Sequence, residues 1–171
     1  MSTAGSMSVN AKDKRSPNQL DFVHVSDAEF DLQSWPFYWI IRANNAYLNT
    51  LESVLKRDQL DIPRWRVLML LFGQRARSVT YLAEEAIIKL STMTRIIQRM
   101  EREGLVQSRP RQTDNRVTEV LLTPQGDQAR RRAQQAAFDV FALAFDGVSG
   151  QQIAALNQTL GRVLSNLSEK N

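Results

Sequence analysis

A chain of 171 residues, 43% of them hydrophobic, holds one domain with a sizeable core, or a small domain plus an extended oligomerisation element, and excludes two independent large domains. It has no cysteine, which removes disulfides, thiolate metal ligands and thiol redox sensing. It also lacks the apolar run of roughly 20 residues that a membrane span needs, and the apolar core of a signal peptide, so a soluble cytoplasmic protein is expected.

Charge is unevenly placed. The chain carries 22 Lys and Arg against 18 Asp and Glu. Ten of the basic residues fall between Lys89 and Arg132 against five acidic ones, whereas the remainder holds twelve against thirteen. The whole excess lies in one quarter of the protein, a distribution suited to an anionic partner.

Residues 1 to 33 are mostly polar and unpatterned, with Pro17 among them, and read as a partly disordered arm. Its first six residues, MSTAGS, precede a second methionine at Met7 and read as a cloning remnant before the natural start. From Ser34 the pattern changes. Pro36 suits a first helical turn after Ser34 or Trp35, and Phe37, Ile40, Ile41, Leu48, Leu51, Val54 and Leu55 extend one long helix to near Leu60. A second helix starts at Pro63 and closes at Gly73, with Trp65, Leu68, Met69 and Phe72 on one face. Ser78 or Thr80 caps a short third helix carrying Tyr81, Leu82 and Ala86.

The fourth helix is KLSTMTRIIQRMEREGLV, Lys89 to Val106, stopped by Gly104. LVQSRP, a polar turn RQTDNR and VTEVLL then read as a two-stranded hairpin. Thr123-Pro124 restarts a helix with Ala129, Ala133, Ala136, Ala137, Val140, Phe141 and Ala144 on its apolar face, to about Gly147. A last helix follows Ser149 or Gly150; its residues Ile153, Leu156, Leu160, Val163 and Leu167 are spaced 3, 4, 3 and 4, a coiled-coil type of seam.

On the fourth helix Met93, Ile96, Ile97 and Met100 share a core face. Ser91, Thr92 and Arg95, with Gln98, Arg99 and Arg102, offer hydroxyls near the start and long cations further along, an assortment that meets phosphate oxygens and base edges in a DNA major groove. Arg99 and Arg102 suit phosphate. A short helix before it and a hairpin after it give the order of a winged helix-turn-helix. At the hairpin, Arg109 lies on the approaching strand, and the tip holds Arg111 and Arg116 around Asp114. A protruding arginine suits a narrow minor groove, and Asp114 is expected to brace the Arg116 guanidinium by a bidentate contact.

The run Leu90 to Gly126, LSTMTRIIQRMEREGLVQSRPRQTDNRVTEVLLTPQG, resembles the MarR family of bacterial transcriptional regulators. It has that family's recognition helix ending in E-x-x-G-L-V, its D-x-R wing and its L-T-x-x-G start to the next helix, and the order of elements matches over about residues 34 to 168. The resemblance implies a mainly α fold with a small β-hairpin wing, in which a winged helix-turn-helix domain (63–123) is flanked by dimerisation helices (34–62 and 124–171). Carried over by position, Ser91, Thr92, Thr94 and Arg95 match the groove-facing start of the recognition helix, and Asp114 and Arg116 the wing. Two residues depart from the pattern. Asn115 stands where many members have another arginine, which suggests a weaker wing contact. Lys89 stands where a serine often caps the recognition helix, leaving that cap to Ser91 or to nothing.

One recognition helix and wing cover a half-site, so two copies about 34 Å apart are needed to meet successive major grooves. A homodimer on double-stranded DNA is expected, built on the seam from Ile153 to Leu167 with Phe138, Phe141, Leu143 and Phe145. The resemblance further implies repression relieved by a small, often aromatic acid. Trp35, Phe37, Tyr38, Trp39, Tyr47 and Trp65 include every tryptophan in the chain and suit a planar ligand, with Arg42 or Arg66 for its carboxylate; His24, the only histidine, falls in the expected flexible arm, from which it could close over the ligand. No cofactor or metal is expected. A single histidine and the absence of a glycine-rich phosphate loop, HExxH or GxSxG argue against an enzyme. The alternative is a winged helix serving protein interaction without small-molecule sensing, which has no need of arginines on both helix and wing.

Overall fold

A computed structural model describes residues 31–73 and 76–169. The expectations for most of the N-terminal arm, the MSTAGS leader and His24 lie outside the described residues. The chain divides into two units after Ile41. In the first, the Asp31 carboxylate accepts the Gln33 N–H at 2.9 Å and caps a 3-10 turn, Leu32–Ser34. The Trp39 indole N–H donates to the Gln33 carbonyl at 2.7 Å, and the Tyr38 and Trp39 rings meet edge to face. Helix α1 (Pro36–Leu55) begins here.

In the second unit, α1 buries Leu51 and Leu55 and tightens into a 3-10 turn, Lys56–Asp58, so the expected helix to Leu60 ends slightly early. Asp61 caps α2 (Ile62–Leu70) by accepting the Arg64 N–H at 3.0 Å, with Pro63 in the first turn. The buried positions of α2 and its C-terminal turn are Arg64, Val67, Leu68 and Leu71. The expected face of Trp65, Leu68, Met69 and Phe72 is therefore displaced by one residue. The reason is Arg64: a cation reads as solvent-facing, yet this one is only 6% exposed. Phe72 turns outward, under the Arg130 guanidinium at 4.9 Å.

Strand β1 (Arg77–Ser78) leads into α3 (Val79–Glu85), where Ser78 proves to be the cap, accepting the Tyr81 N–H at 3.1 Å. Helix α4 (Leu90–Arg102) buries Met93, Ile97 and Met100 against Leu82, Ala83, Leu68 and the strands, with Ile96 half-buried. Lys89 stands at its N-cap without any side-chain cap hydrogen bond. The helix stops at Gly104, φ +70°, where the Gly104 N–H bonds the Glu101 carbonyl and the Leu105 N–H reaches back to Met100, a closure that favours glycine.

The hairpin is part of a three-stranded antiparallel sheet, ordered β1-β3-β2. β2 (Val106–Arg111) and β3 (Asp114–Leu122) pair from Val106 opposite Leu122 to Pro110 opposite Thr118, and β1 adds Arg77 opposite Val120. The turn is shorter than expected, Gln112-Thr113, because pairing resumes at Arg111 opposite Asp114 after a register shift at Pro110. Proline has no N–H for the ladder, so Asn115, Arg116 and Val117 are left to bulge from β3.

α5 (Pro124–Ala144) starts on Thr123, whose hydroxyl accepts the Gly126 N–H at 2.9 Å and donates to the Gly104 carbonyl at 2.6 Å. It buries Ala129, Ala133 and Val140 as expected, with Arg130 added, while Ala136 and Ala137 are half-buried and Phe141 and Ala144 are exposed. α6 (Gly150–Ser168) is closed at its start by a reciprocal Ser149–Gln152 box. It buries no residue, and its seam is at most half-covered within the protomer. Among the described residues no helix is long and apolar enough to cross a membrane.

Among the described glycines the closest approach is at Gly126. A Cβ placed there would lie 1.8 Å from the Leu105 carbonyl oxygen, a rigid backbone atom. Gly126→Ala is expected to lower stability by about 3 kcal/mol, read as a reduced urea midpoint at unchanged m-value.

Candidate nucleic-acid interface

Helix α4 presents three stripes. One is the buried set, Met93, Ile97 and Met100. The second is held by charge. The Arg64 guanidinium donates to Glu103 Oε2 at 2.7 Å and to the Gln59 carbonyl at 2.6 Å, with its Nε 3.2 Å from Asp61 Oδ2 but not aligned for a hydrogen bond. Arg99 donates from Nε to Glu103 Oε1 at 2.9 Å and approaches Asp61 at 3.7 Å. Each oxygen of Glu103 thus holds one arginine. Burial pushes the Glu103 carboxyl up, but the hydrogen bonds and charges of Arg64 and Arg99 outweigh it and hold its pKa below the ordinary range.

The third stripe is Ser91, Thr92 and Arg95, all exposed. Among the described residues the Ser91 and Thr92 hydroxyls and the Arg95 guanidinium have no partner. Thr94 turns its hydroxyl back to the Leu90 carbonyl at 2.9 Å, and Arg102 makes a long contact, 3.3 Å, to the Gln98 carbonyl.

On the wing, Glu119 lies opposite Arg109 across the strands and between the two expected DNA contacts: Arg111 donates to it at 2.9 Å and Arg109 stands 3.9 Å away. Asp114 does not brace the Arg116 guanidinium as expected. Its carboxylate accepts the Arg116 backbone N–H at 3.0 Å, because a carboxylate two residues back reaches the amide first. The Arg116 side chain lines a cleft of about 420 Å³ between α4 and the wing, with Thr94, Gln98, Glu101 and Ser108. The structure therefore brings Arg116 and Thr94 to one cleft.

This sorts the basic quarter. Of its ten cations, Arg99, Arg109, Arg111, Arg130, Arg131 and Arg132 have carboxylate partners in Glu103, Glu119, Asp127 and Asp58. Among the described residues Lys89, Arg95, Arg102 and Arg116 have none. Within this quarter the unpaired positive charge lies on α4, its N-cap and the wing.

The expected ligand residues fall in both units. Trp35, Tyr38 and Trp39 belong to the first; Arg42, exposed, begins the second. Trp65 is half-buried against the core, with its indole N–H buried and unpartnered among the described residues. Arg66 donates to the Ala86 carbonyl at 2.9 Å. Tyr47, another of the expected aromatics, lies within reach of the Arg66 charge: burial raises its phenol pKa and Arg66 tempers the rise. It lines a mainly apolar cleft of about 300 Å³ with Ala43, Ala46, Thr50, Val140, Leu143 and Ala144. Sequence reasoning passed over Arg64 and Glu103; the one hint was an arginine three residues after the helix-capping Asp61.

The MarR family model matches residues 60–118. The HTH-type transcriptional repressor IacR of Pseudomonas putida is 40% identical over 139 residues, 81% of this chain and 83% of that protein. The homoprotocatechuate degradative operon repressor of Escherichia coli is 30% identical over 95 residues, 56% of this chain and 64% of that protein. In fold, a MarR-family transcriptional regulator from Silicibacter pomeroyi matches with a TM-score of 0.74 at 24% identity, covering 83% of this chain and 96% of its own. A cysteine-to-serine mutant of Escherichia coli MarR, in complex with operator DNA, matches with a TM-score of 0.68 at 22% identity, over 79% and 99%.

Removing the Arg64 guanidinium leaves Glu103 half-paired, so Arg64→Met is expected to cost about 3 kcal/mol at neutral pH. The wild-type contribution of Glu103 is present above about pH 4.3, where an unfolded glutamate titrates, and is lost as pH falls through its lower folded pKa. The stability difference between wild type and Arg64→Met, read by urea unfolding, should therefore shrink between neutral pH and pH 3.

Proposed function

Because the chain belongs to the MarR family of transcriptional regulators, we propose that it is a repressor that binds a pseudo-palindromic operator as a homodimer and is released by a small aromatic carboxylate. One observation carries the DNA reading: opposite its buried stripe, α4 exposes Ser91, Thr92 and Arg95 with no intramolecular partner among the described residues. Side chains that the fold leaves uncommitted are available to base edges and phosphates. Arg116 serves the adjacent minor groove from the wing, while Arg99, Arg109 and Arg111 are oriented by their carboxylates and reach phosphate from fixed positions. Pairing of the unburied seam on α6 with a second copy sets the half-site spacing.

Support for the effector is chemical. One relative is named for an operon that degrades homoprotocatechuate, itself an aromatic acid. Here Arg66, Tyr47 and Trp65 supply a cation, a phenol and an indole, with an apolar cleft at Tyr47. Release follows by linkage: a ligand weakens DNA binding only by preferring a dimer whose recognition helices are wrongly spaced, and about 1.4 kcal/mol of coupling gives a tenfold loss.

Arg95→Ala and Arg116→Ala should each lower affinity for the protein's own promoter at least tenfold in gel shifts while leaving effector binding intact, and Arg95→Ala should also change base preference. Loss of effector binding in either variant, or normal DNA binding in both, overturns the assignment. Titration with a panel of aromatic acids should quench tryptophan fluorescence and release the promoter fragment; a panel that does neither refutes the effector class. Sedimentation at micromolar concentration should return a dimer.

A further inference from the structure

The turn that delivers the chain into α4 contains a residue that the fold does not favour. Helix α3 closes as α4 does: the Ile87 N–H bonds the Glu84 carbonyl at 3.0 Å and the Ile88 N–H bonds the Ala83 carbonyl at 2.9 Å. This closure requires a left-handed residue in its middle. At the end of α4 that residue is Gly104, φ +70°; at the end of α3 it is Ile87, φ +55°. A β-branched side chain is among the least tolerant of that backbone region, and glycine or asparagine there relieves the strain. Burial does not compensate, because Ile87 is 90% exposed.

An exposed, strained aliphatic residue is explained by neither packing nor solubility. Its location supplies another explanation. Ile87 stands two residues before the N-cap of α4 and only four and five residues before the exposed, uncommitted Ser91 and Thr92 that open its third stripe. An exposed apolar side chain thus precedes the stripe of donors assigned to DNA, at the end of α4 where that stripe begins. The major groove displays a single apolar group, the thymine C5-methyl.

We propose that Ile87 is a specificity residue of the DNA interface, reading a thymine methyl in each half-site. The inference rests on the DNA-binding reading above. It predicts an uncommon pairing of effects: relieving the strain stabilises the protein and weakens its hold on the operator.

The test uses the full chain, Ile87→Asn and Ile87→Gly, with the protein's own promoter fragment prepared either with thymine or with every thymine replaced by uracil, which deletes only the methyls. Both variants should melt at higher temperature than wild type, which removes misfolding as a cause of weaker binding. Burying one methyl is worth about fourfold in affinity, so about fifteenfold over two half-sites. Wild type should lose at least that much on uracil DNA. The variants should bind thymine DNA about fifteenfold more weakly than wild type, with a markedly smaller thymine-to-uracil ratio. Equal losses on both DNAs, or unchanged affinity in variants while Arg95→Ala binds poorly, overturn the role of Ile87 and leave DNA binding standing. A wild-type protein that binds neither DNA overturns both.

Discussion

The position of the recognition helix depends on one buried cation. Arg64 fills a place in α2 that an aliphatic side chain would otherwise take, and its guanidinium joins the Gln59 carbonyl, the α2 cap Asp61 and Glu103 at the far end of α4. A charge taken out of water is tolerated only when its partners are all in place. The turn after α1, the start of α2 and the end of α4 are therefore held in a single arrangement. Apolar packing alone, being non-directional, would let α4 slide or rotate on Met93, Ile97 and Met100. The ion cluster fixes the rotation, and with it the side of α4 on which Ser91, Thr92 and Arg95 emerge.

Charge has two uses in this chain, and sequence does not separate them. Ten cations crowd one quarter of it, and most serve the fold: Glu119 holds Arg109 and Arg111 across the wing, and Asp127 holds Arg130 and Arg131 along α5. The Asp127 carboxyl is kept below its ordinary range first by the Arg130 hydrogen bond, against a smaller opposing effect of desolvation. What remains without a carboxylate is a minority of this quarter, on α4, its N-cap and the wing. Net charge points to a region, because long-range attraction sums over all its cations, but it does not tell which of them the fold has already paired.

The parts legible in the sequence were those encoded locally. Thr123, Ser149 and Gly104 announce their helix ends because caps and left-handed closures need only a few adjacent residues. The core face of α4 was legible because no charged residue interrupts its spacing. Features decided by distant partners were not. Arg64 shifted the apparent face of α2 by one residue, since its acceptors lie 39 residues away on Glu103 and across a turn at Gln59. A strand of two residues, Arg77–Ser78, is too short to show alternation and exists through pairing with β3. The register that sets Glu119 opposite Arg109, and the slip at Pro110, follow from pairing rather than composition. On α4 the hydroxyls and arginines were legible as a face away from the core, but which arginines were already occupied depended on tertiary structure.

The near-contact between Gly126 and the Leu105 carbonyl has a mechanical side. Three links gather there: the missing Cβ, the Thr123 hydroxyl on Gly104, and the Thr123 N–H on Leu105. They weld the first turn of α5 to the last turn of α4, so the two helices pivot together. At 21 residues, α5 is a lever about 31 Å long. A tilt of about 5° imposed at one end of such a rod displaces the other by about 2.7 Å, roughly the full length of a hydrogen bond. A disturbance too small to unpack any core is thus magnified along α5 into a shift as large as the reach of a hydrogen bond.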